Sequence, residues 1–157
     1  MESIAALSLA SNIIQVVEFS SRIISRGYEL YQSADGRREE HVILDNAVKN
    51  LSALHSTLQN SGRSRSEDKL SMADKQLIKL QIESGMVAKE LRELLQKVQL
   101  KKPNGKWQSV RQALLSVFSD KEISSLGSRL DNIRKQVDSA ILVSLRYIQT
   151  FHAKVKY

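Results

Sequence analysis

Residues 3–17 read SIAALSLASNIIQVV, a run without a single charge in a chain whose residues are 26% charged. Its apolar positions, continued toward Tyr31, fall on two adjacent stripes. One carries Leu7, Ala10, Ile14, Val17, Ile24, Tyr28 and Tyr31; the other carries Leu9, Ile13, Val16, Ile23 and Leu30. Steps of three or four residues, or of seven across a small or polar residue, are those of a helix. A surface helix needs one such stripe. Two predict a helix, over about residues 3–32, that is either buried centrally or suited to a lipid environment.

The rest of the chain extends the helical reading. One proline and six glycines among 157 residues are too few for a chain of tight β-turns. The length suits one domain with a real core. No cysteine occurs, which excludes a disulfide framework, a thiolate metal site and a cysteine nucleophile. The N-terminal stretch carries Glu2 and no nearby Lys or Arg, unlike a secretory signal. Its uncharged run stops at Glu18, short of the roughly 20 apolar residues a bilayer span needs.

The net charge of +7 is unevenly spread. Residues 1–60 hold five basic and seven acidic side chains, and residues 61–157 hold nineteen and ten. Lys101, Lys102, Lys106 and Arg111 form the tightest basic cluster, with no acid between Glu93 and Asp120. Such an excess favours anionic surfaces, either nucleic acid or phospholipid headgroups. No nucleic-acid module is visible, and aromatics are not interleaved with the cluster as single-strand binding requires. If the chain meets a membrane, anionic phospholipid is the expected contact of these four residues.

Taken in order, Ser33-Ala34-Asp35-Gly36 ends the first helix and caps a second, with Glu39 and Glu40 in its first turn, where the helix dipole favours acids. Leu44, Ala47, Leu51, Leu54 and Leu58 give the second helix its stripe, to about Asn60. The polar stretch over about 60–71 reads as a mobile loop. A third helix, about 72–99, presents Leu77, Leu80, Val87, Leu91, Leu94 and Val98, with Ser84 in the gap. Pro103-Asn104-Gly105 breaks it. A short helix over about 106–118 places Trp107, Val110, Leu114 and Val117 on one face. Ser119 and Glu122 have capping-box spacing and start the last helix, striped by Ile123, Leu126, Leu130, Ile133, Val137, Ala140, Tyr147 and Phe151. The expected fold is all-α: an up-down bundle of four long helices plus one short helix.

Catalytic constellations do not assemble. His41, His55 and His152 are not spaced to share a metal on one helix, and no phosphate-binding loop or nucleophile elbow occurs. The expectation is a protein that is not an enzyme and needs no metal or cofactor.

The opening ESIAALSLASNIIQVVEFSSRIISRGYELYQSADG, the later LDNAVKNLSALHSTL and KWQSVRQALLSVFSDKEISSLGSRLDNIRKQVDSAIL together resemble the N-terminal domain of fungal NLR-like (STAND) proteins, of the HeLo-like cell-death effector group. The resemblance spans nearly the whole chain and lies in a diffuse hydrophobic pattern. It implies a programmed-cell-death module that is cytoplasmic at rest, self-associates beside an NLR-type receptor or another signalling partner, and moves to the plasma membrane. Insertion would fall on Ile4, Leu7, Leu9, Ile13, Ile14, Val16 and Val17. Neither a NACHT nucleotide-binding module nor an amyloid-forming motif occurs in these 157 residues, which fits an excised domain or a stand-alone version. The alternative is a helical homotypic interaction or adaptor module of an innate-immunity receptor that never touches lipid.

Overall fold

A computed structural model describes residues 2–25, 39–61, 70–102, 107 and 109–155. The protein is all-α. The described helices are α1 (Glu2–Ile24), α2 (Glu39–Ser61), α3 (Met72–Lys101), α4 (Val110–Leu115) and α5 (Asp120–Val155). The remainder of the expected 3–32 helix, including Tyr28, Leu30 and Tyr31, falls on residues outside this set. So do the expected cap at Ser33 or Asp35, most of the 60–71 loop, and the Pro103-Asn104-Gly105 break.

Local chemistry sets several boundaries. The Ser71 hydroxyl accepts the Asp74 N–H at 3.1 Å, and the Asp74 carboxylate accepts the Ser71 N–H at 3.2 Å, which closes a capping box at the head of α3. The expected box at Ser119 and Glu122 is present: Glu122 N–H donates to the Ser119 hydroxyl at 3.2 Å and Ser119 N–H to the Glu122 carboxylate at 2.9 Å. Each box satisfies backbone donors that a helix start leaves unpaired. The short helix is shorter than the expected 106–118. Ser109, extended at φ −150°, caps it by accepting the Gln112 N–H, so the helix begins at Val110. After Leu115 the chain tightens into turns, with Val117 N–H on the Leu114 carbonyl at 3.1 Å, and Trp107 lies ahead of the helix rather than in it.

The core is continuous. α1 packs on α2, α3 and α5, and α3 packs on α1, α2 and α5. The stripes meet in this core, with Leu44, Leu51 and Leu58 from α2, Leu77, Leu80, Val87, Leu91 and Val98 from α3, and Ile123 through Ala140 from α5. Two residues shift from expectation on α3: Leu95 is fully buried, and Leu94 is only half-buried. At 100° per residue Leu95 lies about 40° from Leu91, within the buried arc, whereas Leu94 lies about 60° to the other side, just past its edge.

Polar ties pin the helices in register. The Asn12 amide donates to the Ser61 hydroxyl between α1 and α2. The Gln81 amide donates to the Leu58 carbonyl at 2.7 Å, and Arg92 to the Ser52 hydroxyl at 3.1 Å, between α3 and α2. Gln76 bonds Gln136 at 2.9 Å and Arg129 pairs with Glu90 at 2.6 Å between α3 and α5.

Candidate functional site

The candidate site is α1 and the surfaces that hold it. Ala6, Leu9, Ala10, Ile13, Val16, Val17, Ser20, Ile23 and Ile24 are buried. At 100° per residue these positions merge into one arc of roughly 140°. The two sequence stripes are thus one wide seam, and α1 is not enclosed on all sides. Its outward face carries Ser8, Ser11, Gln15 and Arg22, all exposed.

The residues expected to insert divide accordingly. Leu9, Ile13, Val16 and Val17 are buried, and Ile14 is half-buried. Leu7 departs from the expected stripe, being 47% exposed. It sits past the edge of the arc, about 120° around the helix from Ile13, where no neighbouring helix covers it fully. Ile4 lies in α1, with its side chain outside the described set. Among the described residues, no helix is long and apolar enough to cross a membrane.

The C-terminal end of α1 is fastened by Arg111 of α4. One guanidinium nitrogen donates to the Ile24 carbonyl at 2.9 Å, and the other meets the Asp120 carboxylate at 3.0 Å. A cation at the last carbonyls of a helix satisfies orphan acceptors and matches the negative end of the dipole. Arg111 therefore joins α1, α4 and α5, a role its place in the basic cluster did not suggest. Of the other three cluster residues, Lys101 and Lys102 are exposed, and the Lys102 ammonium donates to the Ser116 carbonyl at 3.1 Å. Lys106 lies outside the described residues.

One buried group on α1 is poorly served. The Ser20 hydroxyl is fully buried and has no hydrogen-bond partner among the described residues. An unsatisfied buried hydroxyl destabilises by about 1–3 kcal/mol. Ser20→Ala also improves helix propensity. The substitution is expected to raise stability by roughly 1 kcal/mol in urea unfolding, whereas a loss would reveal a partner for the hydroxyl. The sequence signal was a serine one turn after Val16 in line with the buried seam.

A second polar feature lies across the bundle. His55 of α2 is half-buried against α3, where a Cβ on Gly85 would come within 3.0 Å of its Nε2. Gly85 provides the close approach that lets the imidazole lie on the α3 backbone. Burial, then the Arg92 and Lys89 cations, hold the imidazole pKa below its usual value. The folded state therefore prefers neutral His55. Its contribution to stability is fully present above the unfolded pKa of about 6.5 and is lost as pH falls through the folded value. Melting temperature is expected to fall as pH drops from about 6.5 toward the folded value, and His55→Gln to flatten the slope. An unchanged slope in the variant would assign the effect to other groups.

The geometry defines an all-α domain with one amphipathic helix seated on three others. No family model, no curated protein and no solved structure matches the chain. Among the described residues, no three His, Asp or Glu side chains converge to hold a metal ion.

Proposed function

We propose that the chain is a membrane-targeting programmed-cell-death effector domain of the HeLo-like type. At rest its four long helices form an up-down bundle. The interhelical ties support this arrangement: Ser52 and Leu58 of α2 meet Arg92 and Gln81 of α3 in reversed order, as Gln76 and Glu90 of α3 meet Gln136 and Arg129 of α5.

The observation that carries the functional reading is the outward face of α1. Ser8, Ser11 and Gln15 are exposed yet uncharged, within a stretch that holds no charge from Ser3 to Val17. Ordinary solvent faces in this protein carry ions, as α5 does at Lys121, Arg129, Asp131 and Lys135. On activation α1 leaves its seat. Ile4, Leu7, Leu9, Ile13, Ile14, Val16 and Val17 then meet lipid, and the small polar face packs helix to helix in an oligomer. The stretch is too short to span alone, so the oligomer is the active form. The protein is cytoplasmic at rest and moves to the plasma membrane, where Lys101, Lys102, Lys106 and Arg111 meet anionic headgroups once the ties of Arg111 open.

The test is dye release from liposomes containing anionic lipid, induced by the folded full chain. Dose-dependent leakage supports the proposal. A folded, self-associating chain that leaks nothing at any dose replaces it with the adaptor reading.

A further inference from the structure

The second half of α5 presents an outward face that mixes exposed apolar and basic side chains. Asp138 is the last acidic residue; positions 139–157 hold Arg146, Lys154 and Lys156 and no acid. In the same stretch Leu142 and Val143 are each 57% exposed and Leu145 is 43% exposed. At 100° per residue, Lys135, Leu142 and Arg146 lie within about 40° of one another on the helix, with Val143 and Leu145 flanking them. All five are exposed, as is Asp138, the one acid of this face, which lies between Leu142 and Leu145 around the helix. Toward the core, Val137 and Ala140 are buried. The helix is therefore amphipathic twice over, with one face in the bundle and a mixed apolar and cationic face outside.

We propose that this outward face of α5, from Lys135 to Lys154, docks flat on an anionic lipid surface. The charge pattern selects the occupant. Lysine and arginine beside exposed leucines and valine suit a plane where headgroup charge overlies acyl chain, the arrangement of interfacial helices. The segment is about 30 Å long, enough to lie along a bilayer surface. A second copy is disfavoured, because it would bring together two faces on each of which Lys135, Arg146 and Lys154 outnumber the one acid, Asp138. The surface is already formed in the resting bundle and needs no departure of α1. It thus supplies recruitment ahead of the insertion proposed above. It shares the membrane reading but not its helix, and binding is measured apart from leakage.

The experiment is co-sedimentation of the full chain with vesicles of phosphatidylcholine alone or of phosphatidylcholine with phosphatidylserine. The parent is expected to bind only the phosphatidylserine vesicles, and less as salt rises. Leu142→Glu with Leu145→Glu should weaken binding by roughly tenfold or more, since two apolar contacts are lost and two acids added. Arg146→Gln should weaken it about fivefold. Ile82→Glu with Met86→Glu, which charges another exposed apolar pair on α3, should leave it unchanged. Circular dichroism confirms that each variant is folded. The proposal is overturned by a parent that does not bind, by equal binding to both vesicle types, or by an α5 pair that binds like the parent. It is equally overturned if light scattering shows a lipid-free dimer that the α5 pair dissolves, because the occupant is then a second copy. Binding without leakage retains this surface and removes the pore-forming proposal. Leakage that ignores the α5 pair does the reverse.

Discussion

Leu7→Glu is expected to leave the bundle folded and to reduce liposome leakage by roughly 50- to 100-fold. The size follows from placing a charge in an inserting helix, at about 2.5 kcal/mol. The choice of position follows from the structure. Leu9 and Ile13 are fully buried, so glutamate at either would put an unpaired carboxylate into the core and unfold the resting state. Loss of leakage would then say nothing about insertion. Leu7 is 47% exposed, and a polar side chain there reaches water at rest. Its effect on stability should stay within about 0.5 kcal/mol, as for surface substitutions generally. Far-UV circular dichroism and a melting curve check the fold, and dye release checks the function. A folded Leu7→Glu protein that leaks as well as the parent removes α1 as the membrane-active element.

Leu91→Ala should destabilise the domain by about 2–5 kcal/mol. Leu91 is fully buried on α3, the helix that packs on α1, α2 and α5 together, so no single neighbour can move to fill the space left behind. Domain stability is itself about 5–15 kcal/mol, so the loss is a large part of the total. Leu100→Ala is the matched control, being the same change at an exposed end of the same helix. The urea midpoint is expected to fall sharply for the first and hardly for the second. A loss under roughly 0.5 kcal/mol at Leu91 would mean the α3 stripe is not the core contact it is in this fold.

These two substitutions separate what periodicity can reveal from what it cannot. Leu51, Leu91 and Ile133 are core residues by spacing alone, and each is buried. Apolar residues every three to four positions leave a helix one economical way to remove them from water, so the register of a stripe nearly determines its buried face. The Ser119 and Glu122 cap was legible for a similar reason: both partners lie within four residues, and their geometry is local.

Contacts between distant parts of the chain were not legible. The sequence showed two apolar stripes on the first helix and a wide greasy girth. Only packing against α2, α3 and α5 made them one seam, with Leu7 outside it and the uncharged polar Ser8, Ser11 and Gln15 toward water. Arg111 read as one member of a basic cluster, and the fold brought it to the Ile24 carbonyl, 87 residues away. The exposed face of Leu142, Val143 and Leu145 likewise emerged from the fold, since apolar residues in a helical stretch look alike until neighbours cover some and not others. The sequence by itself therefore determined the all-α class, the spacing of the core and the local caps, because these depend on residues within a turn or two. The tertiary structure alone decided which apolar residues stay in water and which charges are committed, because burial and ion pairing depend on elements that meet only once the chain has folded.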